Sequence, residues 1–481
     1  MSAPATARPV LHDPEPLIAR GVGLLRREGL AAGDRVVVLL PNHPATFGIL
    51  AAACLEGVVA VPLPGDLGRA ELEEITDDAQ PALVLAAPEL AAAVEDLGPR
   101  VVVVDVDAAD ELPVAEPSAA WPRTRPMAYT SGTTGRRKGV YVGVQEPPWG
   151  HAMIDDEHLA FDRRHGERHL VVSPLYHSGP FRFALVTALT GGRIAVLPRF
   201  APDDWRAALR DLRPTSLFCV PTHLHRLLAE PDSGPDDLAS LQLLAHAAAP
   251  CPVPLKERVL ELAPAGSVWE FYGSTEGQFT VCPPEVWVQS PGTVGHARPG
   301  RSLEIRDDHG RVLPTGETGT VWAHVPEHAR FTYWRAPERT AAAWDGDAFT
   351  VGDLGRLDDA GRLTLAGRPG DLVISGGVNV YPAEVERHLL GLRGVAEAAV
   401  FGVPDPDWGE RVEAAVIPWP DEACDPEALR ARLAELLAGA KVPKRIHVVA
   451  DLPRTATGKL RRDGSLAAAV SPDAEAPGTR P

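Results

Sequence analysis

The sequence predicts an α/β protein: a large N-terminal domain of layered α/β subdomains plus a β-rich subdomain, followed by a small α+β C-terminal domain. Three observations carry this. Helical patterns alternate with short, continuous apolar runs through the first half of the chain, the signature of a mostly parallel sheet covered on both faces. By Leu303 the texture changes to β-rich segments separated by turns. After "GRPGD" a compact mixed segment begins, which places a boundary near Pro369 to Asp371 and divides the chain into 1–368, 369–465 and a tail, 466–481.

The elements follow in order. From Leu17, "LIARGVGLLRREGL" reads as an amphipathic helix stopping near Gly29, then "DRVVVLLP" as a buried strand, "ATFGILAAACLEG" as a helix and "VVAVPL" as a strand. The alternation continues with "ELEEITDDAQ" and "ALVLAA", "RVVVVD", then "DDWRAALRDL" and "SLFCV". In "SLEIRDDHGRVLPTGETGTVWAHV" and "GRLTLAG", the turns "DDHGR" and "DDAGR" between apolar runs argue for hairpins. The last segment reads as helix "VYPAEVERHLLGL", strands "VAEAAVFGV" and "RVEAAVIPW", and helix "DPEALRARLAELLAG". No repeat of 20 to 50 residues is evident.

With 481 residues, 45% hydrophobic and 23% charged, the chain is too apolar for a disordered protein and long enough for about three domain-sized units. A formal charge of −18 argues against a nucleic-acid or anionic-membrane binder. Any anionic ligand must therefore meet a local cationic site. The five cysteines, Cys54, Cys219, Cys251, Cys282 and Cys424, show no CxxC spacing, which suits a reducing cytoplasm. No export signal and no membrane span are expected, and the Pro-, Ala- and Ser-rich tail reads as disordered. Homo-oligomerisation stays open.

The densest chemistry lies in "MAYTSGTTGRRKGV", Met127 to Val140. Glycines let a backbone fold into a nest of N–H groups, hydroxyls add donors and Lys138 adds charge, which together make a cradle for a polyphosphate. Gly132 and Gly135 are followed by Lys138 and Gly139, so the spacing is not that of the Walker loop. His223 and His225 in "THLHRLL" fall two apart on a helix and point away from each other, a structural rather than metal-ligating pair.

"YTSGTTGRRKGV" resembles the phosphate loop of the adenylate-forming superfamily, which includes acyl-CoA synthetases, aryl-CoA ligases, adenylation domains and luciferases. Four further stretches agree in the family's order: "SPLYHSGP", "EFYGSTEG", "VGDLGRLDDAGRLTLAGRPGD" and "PRTATGKLRR". Within it, "HAAAPCPVPLKERV" and "SGGVNVYPAEVE" look most like bacterial acyl-CoA synthetases. The resemblance implies that a carboxylate attacks the α-phosphorus of ATP to give acyl-AMP and pyrophosphate, after which a thiol displaces AMP. Catalysis of that kind is mainly positioning and electrostatic stabilisation.

By resemblance, Thr130, Ser131, Gly132, Thr133, Thr134, Gly135 and Lys138 grip the β and γ phosphates. Tyr272, beside Gly273, stacks on adenine; Thr275 donates to the α-phosphate; Glu276 holds Mg²⁺. Ala247, Ala248 and Ala249 replace the commoner glycine-rich form of the adenine and acyl wall. Asp353 takes the ribose hydroxyls with help from Arg368, and Val351 stands where the family usually has Thr. His177 gates the acyl pocket; Phe181 and Arg182 are wall candidates, with a structural ion pair the alternative for Arg182. Lys459 bridges substrate carboxylate and α-phosphate from the small domain, which the family rotates between half-reactions, so that domain is expected to be mobile. Gly377 lines the thiol tunnel, and Gly370 occupies a hinge position where the family usually has Asp or Lys.

The expected function is ATP-dependent carboxylate–CoA ligation. One alternative activates nitrite and delivers it to an aryl amine in natural-product pathways; another loads the phosphopantetheine of a carrier protein. A binding module without activity is disfavoured because Lys138, Glu276, Asp353, Arg368 and Lys459 are all present.

Overall fold

The first helix, Pro14–Arg27, starts three residues before the expected Leu17. Pro14 occupies the first helical position, where its preset φ suits the helix and its missing N–H is no loss. The helix packs on Pro44–Glu56 through small residues: a Cβ on Gly21 would lie 2.5 Å from the Gly48 carbonyl oxygen, and one on Gly48 would lie 2.3 Å from that of Leu17. Glycine is needed for this approach. The computed structural model describes residues 9–130, 137–229, 233–375, 378–419 and 422–454, together with 460, 466–467 and 470.

Two parallel sheets form the centre of the large domain. One has four strands in the order Val59–Pro62, Arg35–Leu39, Leu83–Ala86, Arg100–Val103. The other has five, in the order Val268–Glu270, Leu243–His246, Ser216–Cys219, Arg168–Val171, Arg193–Val196. Their central strands are buried along nearly their whole length, as the unbroken apolar runs require. Crossover helices such as Ser178–Leu189 and Val253–Leu262 cover the second sheet.

The β-rich part is antiparallel. Gly319–His324 pairs with Ser302–Arg306, Ala348–Phe349 and Leu354–Leu357, and the last of these forms a hairpin with Leu363–Gly367 through the "DDAGR" turn. The "DDHGR" turn closes with Asp307 N–H donating to Arg311 O at 2.9 Å, as expected. A small three-stranded sheet, Ala128–Thr130, Lys138–Tyr141 and Thr332–Tyr333, ties the cationic loop to this region, with Thr130 paired to Lys138.

In the C-terminal part, Gly409–Pro418 pairs antiparallel with Val395–Asp405 and parallel with Arg445–Val448, while Val373–Ser375 carries Val378–Val380. Helices Pro382–Leu390 and Pro426–Leu436 bury Val385, Leu389, Leu429 and Leu433 against it, a separate α+β core. This part meets the large domain where the Trp419 and His225 rings lie 4.5 Å apart. His223 instead stacks on Phe200 at 4.1 Å, so the two histidines do point apart. No helix among the described residues is long and apolar enough to cross a membrane, and all five cysteines are free.

Candidate active site

Three motif loops leave the second parallel sheet at the carboxyl ends of its strands: "SPLYHSG" after Arg168–Val171, "AAAP" after Leu243–His246, and "FYGSTEG" after Val268–Glu270. Ligands of open parallel sheets bind in this position. Beneath two of the loops lies the fully buried Lys256, whose Nζ donates to Glu270 Oε2 at 3.2 Å and contacts His246 Nε2. Burial first, then Lys256, holds His246 well below its ordinary pKa, hence neutral. Burial raises Glu270, with Lys256 opposing. Lys256 thus ties the ends of adjacent strands together at the roots of the loops.

Two clusters follow. In the first, Tyr272 donates its hydroxyl to Asp353 Oδ2 at 2.6 Å, and Arg368 Nε donates to Asp353 Oδ1 at 2.7 Å. Tyr272 is buried and stacks on Phe279 at 4.7 Å; burial, then the Asp353 charge, pushes its phenol well above the usual range. In the second, Lys138 Nζ lies 3.0 Å from Glu276 Oε1 and donates to Tyr333 Oη at 2.8 Å, while Tyr333 donates to the same Glu276 oxygen at 2.8 Å. Burial alone would raise the Glu276 pKa, but Lys138 and Tyr333 outweigh it and hold the carboxyl below its ordinary value. Both contacts use Oε1, so Oε2 lies outside the pair; one carboxylate with an oxygen to offer suits Mg²⁺, which takes few protein ligands alongside phosphate and water oxygens.

The remaining motif residues surround these clusters. Gly273 bridges to Gln278, and Ser274 N–H donates to Gly277 O at 2.8 Å, so Thr275 rides on a tight turn. A Cβ on Gly277 would meet Phe349 at 2.7 Å. Thr130 Oγ1 is buried with no hydrogen-bond partner among the described residues. His177 stands at the N-cap position of Ser178–Leu189 without a side-chain capping hydrogen bond, its ring 4.4 Å from that of Tyr176. Ala247 is buried, whereas Ala248 and Ala249 are exposed, and Ala248 adopts φ +76°, a left-handed conformation that strains an alanine. Val351 packs at the edge of the core that includes Tyr272 and Phe279. Ser131, Gly132, Thr133, Thr134, Gly135, Gly377 and Lys459 lie outside the described residues.

Sequence reasoning did not find Tyr333, Arg125 or Lys256. Tyr333 sits in "FTYWRAPERT" and reaches the site only because its strand pairs with Lys138–Tyr141. Arg125, two residues before Met127, donates from Nη2 to the Glu276 backbone carbonyl at 3.1 Å. Arg182 makes the ion pair offered as its alternative, with Glu157 at 3.1 Å, but it also lies against the Phe271 ring at 5.8 Å.

Comparison with known proteins identifies the family. Residues 20–334 match the family model described as AMP-binding enzyme, and residues 384–459 match the AMP-binding enzyme C-terminal domain. A feruloyl-CoA synthase of an Amycolatopsis species is 35% identical over 92% of this chain and 90% of its own. The fatty acid–[acyl-carrier-protein] ligase ScoC of Streptomyces coeruleorubidus is 32% identical over 91% and 87%. The structure of the amide bond synthetase McbA from Marinactinospora thermotolerans superposes with a TM-score of 0.81 at 29% identity, covering 93% of this chain and 92% of that one.

Proposed function

Because the chain belongs to the AMP-binding enzyme family, and is an ATP-dependent adenylate-forming ligase of the acid–thiol class, we propose that it converts a carboxylic acid to acyl-AMP and transfers the acyl group to CoA. The observation that carries this reading is the convergence of two groups on the loop after Val268–Glu270: Tyr272 with Asp353 and Arg368 for a nucleoside, and Glu276 with Lys138 and Tyr333 for its phosphates. A carboxylate held by Arg368 faces a vicinal diol with two acceptor oxygens.

In the first half-reaction a carboxylate oxygen forms a bond to the α-phosphorus while the bond to pyrophosphate breaks. Lys138 and Thr130 stabilise charge on the phosphates, Thr275 donates to the α-phosphate, and Lys459 orients the incoming carboxylate. Mg²⁺ bound at Glu276 would supply further positive charge to the phosphate oxygens. His177 stands where the acid enters. In the second half-reaction a thiolate sulfur forms a bond to the acyl carbon and AMP departs; Gly377 would leave room for the pantetheine arm. The large domain, 1–368, supplies the nucleotide site and 369–465 supplies Lys459, so the site is completed by docking of the smaller part.

A second reading keeps adenylation and changes the acceptor, supported by the similarity to an amide bond synthetase. Its amine-accepting form includes nitrite activation for delivery to an aryl amine. The test incubates the enzyme with ATP and a carboxylate panel, each with CoA, a phosphopantetheinylated carrier protein, or an amine, and in parallel with nitrite and aryl amines. Acyl-CoA as the dominant product is expected. Lys459→Ala should abolish pyrophosphate release yet leave acyl-CoA formation from supplied acyl-AMP largely intact; equal loss in both would refute its role.

A further inference from the structure

Beside the helix Ser178–Leu189 the described residues hold more guanidinium than carboxylate groups. Asp156 and Glu157, on the helix Pro147–Phe161, are shared among three guanidinium groups: Arg301 at 2.7 Å from Asp156, Arg298 at 3.4 Å from Asp156 and 3.1 Å from Glu157, and Arg182 at 3.1 Å from Glu157. The Arg182 contact is misaligned for a hydrogen bond, and Arg182 Nη2, although buried, has no hydrogen-bond partner among the described residues. A fourth guanidinium, Arg125, makes one hydrogen bond, to the Glu276 carbonyl, and no ion pair among the described residues. Lys138 and Glu276 already neutralise each other. Four arginines therefore face two carboxylates.

The position of the excess matters. Arg182 lies five residues after His177 on the helix Ser178–Leu189, about 7.5 Å further along its axis. Around it stand Phe183 at 6.0 Å and Phe271 at 5.8 Å, part of an aromatic cluster that also contains Phe161 and Phe218. Arg125 approaches from the Glu276 side, close enough for the Arg182 charge to act on it. Burial, then Arg182, lowers Arg125 to about 10, and burial lowers Arg182 as well, so each guanidinium is held where a neighbouring anion would be favoured. A guanidinium left without its anion beside aromatic rings is costly, whereas one that meets a carboxylate in bidentate geometry is not.

We propose that Arg125 and Arg182 form a second anion subsite in the acid pocket, so that the acid activated is dianionic, with a carboxylate or comparable anion separated from the reacting carboxylate by a spacer of a few carbon atoms. This rests on the ligase reading and narrows its substrate class. The reacting carboxylate loses its own charge on becoming a mixed anhydride; the second one keeps its charge and anchors the far end throughout both half-reactions.

The test measures kcat/KM for ATP-dependent pyrophosphate release with size-matched pairs: malonate and propanoate, succinate and butanoate, glutarate and pentanoate, terephthalate and 4-methylbenzoate. The best diacid is expected to exceed its monoacid partner at least tenfold. Arg182→Gln and Arg125→Gln should each lower the ratio of diacid to monoacid kcat/KM tenfold or more, a specificity change that a merely structural loss would not produce; Arg182→Lys should recover part of that ratio. Should Arg182→Gln fail to fold, Arg125→Gln, which gives up only one hydrogen bond to a carbonyl, decides the matter. Monoacids that match or exceed their diacids in the unmodified enzyme would overturn the subsite and leave the ligase reading standing. No pyrophosphate release with any acid, with ATP binding intact, would overturn both.

Discussion

Replacing Asp353 by alanine tests the nucleoside cluster through two separable effects. Asp353 accepts hydrogen bonds from the buried Tyr272 hydroxyl at 2.6 Å and from Arg368 at 2.7 Å. Removing it leaves Tyr272, 8% exposed, with an orphaned hydroxyl, which costs about 1–3 kcal/mol. Arg368, whose side chain is 50% exposed, can rehydrate, so its lost ion pair adds about 0–1 kcal/mol. ATP binding loses charged hydrogen bonds to the ribose, about 1.5–3 kcal/mol, or roughly ten- to a hundredfold in Kd. The double variant Asp353→Ala/Tyr272→Phe removes the orphaned group as well, so it should melt closer to the unmodified protein than Asp353→Ala does, while its ATP affinity stays low. Differential scanning calorimetry and isothermal titration with ATP read the two effects. An ATP affinity within twofold of the original in Asp353→Ala would refute the ribose role, and a double variant melting below Asp353→Ala would refute the account of Tyr272.

Three further outcomes are expected. Glu276 has a folded pKa below its ordinary value, so its pairing with Lys138 and Tyr333 contributes stability above about pH 4.5 that is lost as pH falls through the folded pKa; the melting gap between the unmodified protein and Glu276→Gln should narrow from pH 7 to pH 3, and a constant gap would contradict the pairing. Ala248→Gly relieves the left-handed φ and should raise stability by about 0.5–1 kcal/mol after the added chain entropy, whereas Ala248→Val should lower it; thermal melts showing Ala248→Gly less stable would count against strain at this turn. Trp419→Ala removes the ring contact with His225, about 0.5–1.5 kcal/mol, and should speed proteolysis near Pro369–Asp371 two- to tenfold; an unchanged cleavage rate would show that the contact holds nothing in place.

Much of the architecture was legible because the parallel strands are buried on both faces, and "RVVVLL" or "SLFCV" admits few other readings. Helix starts were less so: Pro14 precedes the apolar periodicity from which the first helix was read. Motif residues such as Asp353 and Tyr272 could be singled out in sequence, 81 positions apart, only through resemblance; their contact is a product of the tertiary fold. Tyr333 and Arg125 carried no local signal at all. An arginine before a strand and a tyrosine in "FTYW" look like ordinary surface and core residues until strand pairing brings Thr332–Tyr333 beside Lys138–Tyr141. The fully buried Lys256 was illegible for the opposite reason, since an amphipathic helix normally turns a lysine to solvent, and it is Glu270 and His246 facing it that make its burial tolerable.

Gly370 sits exposed in the short 3₁₀ turn Pro369–Asp371, and a Cβ built on it would meet no atom within 4 Å. Its φ is not in the left-handed range, so this arrangement makes no demand for glycine. A methyl group at 370 therefore meets no steric penalty in this arrangement, so under the proposed docking of the smaller part, any shift it caused in the balance between arrangements would arise in the other one. On that proposal the position is a one-sided reporter: the shift in the equilibrium on Gly370→Ala would equal, apart from sign, the strain the methyl group meets in the second arrangement.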